Sequence, residues 1–323
     1  MKLGVVSSAV LWFGLEEALA FLAGRGVFAI ELGCAGYHVP KFCDLDALLA
    51  DDDGRARWLE TFGRHGVEIS SLAIHGDPLS PDPVIAQGYD RQFRQACELA
   101  SVLGIDRLTL LAGLPEGAPG DRAQCWVVAR FPGFNGPILE WQWAERVLPY
   151  WREHGRVAEA HGCRLCFEMH PSDVVYNPAT LLRLREEVGP VVGCNLDPSH
   201  IFWQGIDPIE VVRRLGDAIY HVHAKDTRVE VRNVRLNGVL EVSAGPLADR
   251  GWVFRTVGYG HGEEFWRELV SALRAVGYDD VLSIEHEDEF VDATEGLEKA
   301  IAFLQPLVLE KPAGAPWWEY EHG

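Results

Sequence analysis

Short apolar runs alternate with stretches of helical periodicity from one end of the 323-residue chain to the other. A mostly apolar run of four to eight residues predicts a buried strand, and apolar residues recurring every three or four positions predict an amphipathic helix. Eight runs predict strands, each followed by a helical stretch: Leu3–Val6, Phe28–Leu32, Glu68–Ile74, Arg107–Leu111, Arg164–His170, Val192–Asp197, Ile219–Ala224 and Val281–Glu285.

Two of the predicted helices carry clear terminal signals. One begins at Asn177-Pro178 and ends before Gly189, and another begins at Asp207 and ends before Gly216. An Asx residue at the N-cap, a proline in the first turn and a glycine after the last turn are typical of helix ends.

Eight successive β-then-α units predict an α/β fold, a single (β/α)₈ TIM barrel, with a doubly wound open sheet as the alternative. We assign residues 1–306 to the barrel and residues 307–323 to a C-terminal tail, which packs either on a neighbour or over the barrel. Long loops follow the fourth and seventh strands, at Gly113–Ile138 and Thr227–Gly262. Barrels build their active sites at these strand ends.

Four predicted strands bring an ionisable side chain to this same mouth of the barrel, because alternate residues of a strand face alternate sides. They are Glu168, Asp197, His223 and Glu285. Three carboxylates and an imidazole repel one another in a low-dielectric site unless a cation binds them. Such ligands suit Mn²⁺ first, then Mg²⁺ or Co²⁺, with Zn²⁺ as a further candidate. The alternative is a set of hydrogen-bonded polar core residues.

Two neighbours of His223 are ionisable and share its face of the strand. His221 lies one layer deeper, so we expect it to support a metal ligand or to contact substrate. Lys225 is expected to pair with Asp226 at the rim, for function or for structure alone.

The net charge of the chain indicates which kinds of partner it can bind. The chain has 48 acidic and 29 basic residues and a net charge of −19. This excess repels phosphate backbones, so we expect no nucleic-acid partner, although a small anion could still bind in a local basic pocket. Neither a GxGxxG nor a GxxxxGK[ST] loop is present, which favours an unphosphorylated substrate and no organic cofactor.

The compartment is predicted from the cysteines and the N-terminus. Seven cysteines are scattered through the chain, which is typical of reduced thiols. The N-terminal apolar run leads into Glu16-Glu17 and fits a strand and a helix better than a signal peptide. With no run of about 18 apolar residues, we expect a cytoplasmic protein that does not span a membrane.

Four short motifs carry a resemblance to a known family. FEMHP, NLDPSH, HVHAKD and IEHED, in this order, resemble the xylose isomerase-like TIM-barrel superfamily, the sugar phosphate isomerase/epimerase family. The resemblance implies one divalent metal ion on the same four residues, Glu168, Asp197, His223 and Glu285. It also implies a homo-oligomer.

The resemblance further implies roles in substrate binding and proton transfer. His200, Glu31 and His75 match substrate-binding positions of the family, and an arginine after the seventh strand would be Arg228 or Arg255. In the ketose epimerases that this chain resembles, two glutamates serve as both metal ligands and acid/base pair. The matching residues are Glu168 and Glu285.

Together these features predict a metal-dependent isomerase or epimerase that moves a proton in a keto-sugar through an enediolate. Aromatic residues such as Trp126 stand near the predicted mouth, where they either stack on the sugar or pack within the loops. The alternative reaction is β-elimination from a 3-oxo-glycoside, including C-glycosides, with the tryptophan-bearing loops around the aglycone. An abasic-site endonuclease is disfavoured by the acidic charge, and a non-catalytic sugar-binding barrel by the acid/base pair.

Overall fold

The computed structural model describes residues 1–242, 245–312 and 314. The strands are β1 (Lys2–Val6), β2 (Ala29–Gly33), β3 (Glu68–Ala73), β4 (Arg107–Leu110), β5 (Arg164–Glu168), β6 (Val192–Leu196), β7 (Ile219–Ala224), β8 (Asp226–Val229), β9 (Trp252–Arg255) and β10 (Val281–Ile284). Eight of them form a closed parallel barrel in the order β1-β10-β7-β6-β5-β4-β3-β2. The predicted TIM barrel is confirmed, and the open sheet is wrong because β1 pairs with both β10 and β2.

Helices surround the barrel. They are α1 (Leu15–Ala23), α2 (Leu45–Ala50), α3 (Asp52–His65), α4 (Pro83–Leu103), α5 (Asn135–Trp141), α6 (Leu148–Ala160), α7 (Pro178–Val188), α8 (Ser199–Phe202), α9 (Pro208–Leu215), α10 (Val231–Asn237), α11 (Glu263–Ala275) and α12 (Ala293–Leu304). Shorter turns are 3₁₀-helical at Ser7–Val10, Gly216–Ala218, Leu247–Asp249 and Gln305–Leu307, and π-helical at Gln142–Val147.

The predicted helix caps at α7 and α9 are confirmed. Asn177 Oδ1 accepts a hydrogen bond from Thr180 N at 3.0 Å, and Asp207 Oδ1 accepts one from Ile209 N at 2.8 Å. Each cap satisfies a backbone N–H that the helix itself leaves without an acceptor.

The two long loops differ in structure. Gly113–Ile138 contains only one isolated bridge, between Glu116 and Gln124, before α5 begins. Thr227–Gly262 contains most of an antiparallel hairpin, in which β8 pairs with β9 and α10 lies between them. The sequence did not predict this hairpin: the predicted seventh strand ended at Ala224, and most of the stretch that contains β8 and β9 was assigned to a loop.

The apolar core lies between the barrel and the helices. Trp143, Trp151 and Trp266 are fully buried there, and the ring of Trp151 meets that of Phe167 edge-on at 4.6 Å. The barrel lumen is more polar toward the carboxyl ends of its strands, where it holds the candidate site. Within the described residues, no helix combines the length and apolar character needed to cross a bilayer.

The boundary at residues 306/307 stays a prediction. Most of the predicted tail, residues 313 and 315–323, lies outside the described residues.

Replacing Trp151 by alanine is expected to destabilise the fold by about 3–5 kcal/mol, because it leaves a large cavity beside Phe167 and removes the hydrogen bond from Nε1 to Ala112 O. Urea denaturation measures this change. Trp12→Ala is the matched control, since Trp12 is 44% exposed, and should change stability by less than about 0.5 kcal/mol. Equal losses in the two variants would contradict this assignment of the core.

Candidate active site and metal centre

The four predicted ligands come together at the carboxyl ends of four strands. Glu168 ends β5, Asp197 follows β6, His223 lies near the end of β7, and Glu285 follows β10. One ligand atom from each lies within 4.8 Å of those of the other three. All four groups are buried or nearly so, with the Glu285 side chain the most accessible at 15%.

His223 stands at the centre of this cluster. Its Nδ1 lies 3.2 Å from Glu168 Oε2 and 3.1 Å from Glu285 Oε2. Asn195 lies on β6, two residues before Asp197. Its side-chain amide nitrogen lies within hydrogen-bond distance of both Glu168 and His223. A shift in the β6–β7 pairing between Cys194 and Asn195 sets Asn195 opposite His221. Such register shifts re-aim side chains next to active sites.

A second polar layer supports His223 from below. Glu31 Oε2 lies 2.7 Å from His221 Nε2 and 3.1 Å from His223 Nε2, and Glu31 Oε1 accepts a hydrogen bond from Thr109 Oγ1 at 2.6 Å. A carboxylate on one ring nitrogen fixes the orientation of an imidazole and makes it a better metal ligand through the other. The sequence analysis assigned no role to Thr109. The feature that could have indicated one is its hydroxyl group on the lumen side of a mostly apolar strand.

This placement bears on the roles that the resemblance implied for Glu31 and His221. The side chains of both have no exposed surface. They lie under His223 rather than in the mouth, a position that favours support of a metal ligand over contact with substrate.

Two histidines flank Glu168 at the mouth. His200 Nε2 lies 3.1 Å from Glu168 Oε1, and His75 Nε2 lies 3.2 Å from Glu168 Oε2. The other ring nitrogen of His75 is 2.8 Å from Nε2 of His38, which comes from the segment between β2 and α2. The sequence did not predict His38 as a site residue, because its segment is irregular and has no periodicity from which the direction of a side chain could be inferred.

The basic residues at the mouth are paired with acids. Arg255 Nε lies 3.2 Å from Asp288 Oδ2, and the other candidate, Arg228, contacts Glu230 at 2.6 Å. Both predicted substrate-binding arginines are therefore engaged by carboxylates of their own surroundings.

The predicted pair of Lys225 and Asp226 is wrong. Lys225 Nζ lies 3.3 Å from Glu285 Oε2 and 2.6 Å from Glu287 Oε2. Asp226 instead accepts hydrogen bonds from the backbone of the Gly258–His261 turn. Adjacent strand residues face opposite sides, which separates the two groups.

Burial and neighbouring charges shift the pKa values of three of these groups, Asp197, Glu285 and His223. Burial raises the pKa of Asp197 to about 6, against the opposing effect of His200 and Lys225. Burial also disfavours ionised Glu285, but Lys225 and His223 outweigh it and lower the pKa of that carboxyl. Burial lowers the basicity of His223, yet Glu31 and Glu285 hold its pKa well above the usual value.

The residues present fit a divalent cation. Asp197 Oδ1 accepts a hydrogen bond from Ser199 N at 2.8 Å. Asp197 Oδ2 and Glu285 Oε2 are buried and accept no well-aligned hydrogen bond among the described residues. Their nearest cationic groups are His200 Nε2, 3.4 Å from Asp197 Oδ2, and Lys225 Nζ, 3.3 Å from Glu285 Oε2. Buried carboxylate oxygens that accept no well-aligned hydrogen bond are costly and call for a further partner. Three carboxylates and one imidazole could supply that partner as ligands of one ion.

Trp126 lies on the side of a neighbouring cavity. The cavity measures about 590 Å³, and its lining includes Trp126, His170 and His200. The ring of Trp126 meets that of Tyr176 edge-on, with 5.6 Å between centroids. Trp126 thus stands where it could contact a ligand that reaches beyond the cluster.

Comparison with known families identifies the fold family. The model described as "Xylose isomerase-like TIM barrel" matches residues 19–307. The chain belongs to the xylose isomerase-like TIM-barrel family. The family resemblance predicted from FEMHP, NLDPSH, HVHAKD and IEHED is confirmed.

One relative of this member of the xylose isomerase-like family matches nearly the whole chain, and another matches less than half of it. "Uncharacterized protein YfiH" of Bacillus subtilis (strain 168) is 34% identical over 312 residues, covering 95% of this chain and 99% of that protein. An inosose dehydratase of Geobacillus thermodenitrificans (strain NG80-2) is 28% identical over 140 residues, covering 42% of this chain and 44% of that protein.

Solved structures share the barrel. The probable 3-DHS dehydratase AsbF of Bacillus anthracis has a TM-score of 0.66 at 19% identity, covering 94% of this chain and 99% of that one. The IOLI protein with a bound zinc atom has a TM-score of 0.63 at 20% identity, covering 95% and 98%. A D-psicose 3-epimerase crystallised with D-fructose has a TM-score of 0.60 at 15% identity, covering 96% and 100%. At these identities the likeness shows the fold alone.

Glu31→Gln is expected to weaken Mn²⁺ binding about 10–100-fold, because it removes the carboxylate that orients His223 without removing a ligand. Isothermal titration of metal-free protein measures the affinity. Glu264→Gln, an exposed glutamate on α11, is the control and should bind like the wild type. Unchanged affinity in Glu31→Gln would contradict the supporting role of the lower layer.

Proposed function

We propose that the chain is a divalent-metal-dependent enzyme that isomerises or epimerises a keto-sugar or a related carbohydrate by moving a proton beside its carbonyl. The observation that carries this proposal is the pairing of Glu168 and Glu285 across the barrel mouth. Glu168 is buried and Glu285 nearly so, and both lie within 3.2 Å of His223 Nδ1. Their strands, β5 and β10, are separated in the barrel by β6 and β7, so the two carboxylates reach a substrate from different sides.

The residues that would hold the ion are Glu168, Asp197, His223 and Glu285. When bound, a divalent ion supplies Lewis acidity toward adjacent substrate oxygens and eases removal of a neighbouring C–H proton. Mn²⁺ is our first choice because carboxylate oxygen dominates the donor set.

Glu168 and Glu285 are the proposed acid/base pair. One carboxylate removes the proton, and the other returns a proton to the opposite face or to the adjacent carbon. Glu168 Oε1 can share its proton with His200 Nε2, 3.1 Å away. Lys225 holds Glu285 ionised and in place through the 3.3 Å contact with Oε2.

Two further observations support this substrate class. A D-psicose 3-epimerase and the inosose dehydratases, which share the fold or part of the sequence, are named for carbohydrate or polyol chemistry. In the described part of the mouth, Lys225 and Arg255 are both paired with carboxylates and so do not form a phosphate clamp. We therefore favour an unphosphorylated substrate.

Elimination is the second candidate reaction. Two relatives named as dehydratases, one by sequence and one by structure, favour it. The same base beside the same carbonyl would remove a proton and expel water or another β-leaving group, including the aglycone of a 3-oxo-glycoside. The two reactions share the residues that remove the proton and differ only in the next step.

Incubation of the Mn²⁺-loaded enzyme with a panel of keto-sugars and oxidised glycosides in D₂O tests the proposal. We expect NMR to show one deuterium at the carbon beside the carbonyl in an isomerised product, or an enone and a free leaving group if elimination occurs. Glu168→Gln and Glu285→Gln should each lower kcat at least about 10²–10⁴-fold, because each removes one acid/base group.

Glu264→Gln serves as the matched control and should keep wild-type kcat. Full activity in both active-site variants, or full activity after removal of metal by a chelator, would overturn the proposed function.

A further inference from the structure

The cavity beside the candidate metal centre has largely apolar walls. Its volume is about 590 Å³, and its walls include Trp126, Trp203, Leu240, Val242, Trp252 and Phe254. We call this cavity the aromatic chamber. Sugar hydroxyl groups need hydrogen-bond partners, which indole, phenyl and alkyl faces supply poorly. A free sugar alone would therefore leave most of the chamber without a matching ligand group.

The walls combine a rigid side and an exposed rim. The rings of Trp203 and Trp252 stack with centroids 4.6 Å apart and planes within 3° of parallel, and Trp252 Nε1 donates to Val239 O at 3.2 Å. At the rim, Leu240 is 56% exposed and Val242 is 90% exposed. A ligand that fills the chamber would remove this apolar surface from water, which favours binding.

Two indole N–H groups on the walls lack acceptors. Trp126 Nε1 and Trp203 Nε1 are buried with no hydrogen-bond partner among the described residues. Buried indole N–H groups normally find an acceptor. The flat indole faces on the walls would match a planar ligand group.

The chamber adjoins the candidate metal centre through His200. His200 lines the chamber, and its Nε2 lies 3.1 Å from Glu168 Oε1 and 3.4 Å from Asp197 Oδ2. Phe254, another wall residue, lies 5.3 Å from the ring of His200 and 4.4 Å from Lys225 Nζ. One molecule could therefore place a polar ring at the carboxylates and a second group in the chamber.

We propose that the aromatic chamber is a subsite for the planar, apolar substituent of the substrate, so that the enzyme acts on aryl-conjugated carbohydrates rather than on free sugars. The substituent stacks against the Trp203–Trp252 pair while the sugar ring lies at Glu168 and Glu285. This inference rests on the proposed function for the position of the sugar ring.

Binding of two unreactive glucosides tests the subsite without requiring turnover. Phenyl β-D-glucopyranoside and methyl β-D-glucopyranoside share the sugar and differ only in the group that would enter the chamber. Calorimetric titration of the full-length Mn²⁺-loaded protein should show the phenyl glucoside binding about ten-fold or more tightly, because the chamber buries its ring.

Two substitutions in the aromatic chamber test whether the preference for the phenyl glucoside arises there. Leu240→Asp places a charge at the rim of the chamber and should bring the phenyl-to-methyl affinity ratio close to one. Trp252→Ala should do the same by removing one stacked ring. Leu236→Asp is the matched control, since Leu236 lies on α10 of the same hairpin, is 81% exposed and does not line the chamber. It should keep the wild-type ratio, and circular dichroism should show all three variants folded.

The outcomes separate this inference from the proposed function. Equal affinity for the two glucosides, or a phenyl preference that survives both chamber variants, would overturn the subsite. A phenyl preference that depends on Leu240 and Trp252, with no deuterium exchange on any substrate in the panel, would support the subsite and refute the reaction. Efficient turnover of free keto-sugars without any aryl preference would do the reverse.

Discussion

Mutual repulsion among Glu168, Asp197 and Glu285 is the constraint on which the rest of the site depends. Burying three carboxylates within 4.8 Å of His223 is unfavourable unless positive charge accompanies them. The protein supplies part of that charge through Lys225 and the imidazoles, yet the pKa of Asp197 remains raised to about 6. We therefore propose that this cluster is a cation site rather than a set of ordinary core ion pairs.

The barrel fixes the geometry of this repulsive arrangement by building it on strands. Parallel strands bring their carboxyl ends to one mouth, so residues far apart in sequence become neighbours. Thr109 holds Glu31, which contacts His223 from the deeper layer, while His75 and His200 contact Glu168 from the mouth. A network with its members fixed by hydrogen bonds changes shape little when a ligand arrives, which lowers the cost of reaction.

Strand periodicity accounts for what the sequence could predict. Alternation along RLCFEMH, IYHVHA and VLSIE placed Glu168, His223 and Glu285 on the lumen side without knowledge of any contact. Residues outside that periodicity were not placed: His38 lies in an irregular segment, and the partners of Arg255 and Lys225 come from the turn after β10. The β8–β9 hairpin was missed for a related reason, since its strands pair with each other and not with the barrel.

Anomalous X-ray diffraction from crystals grown with Mn²⁺ tests the central claim most directly. The account predicts one strong anomalous peak per chain, coordinated by Glu168, Asp197, His223 and Glu285. A fully loaded crystal with no peak among these four side chains, or with its manganese bound elsewhere, would contradict it.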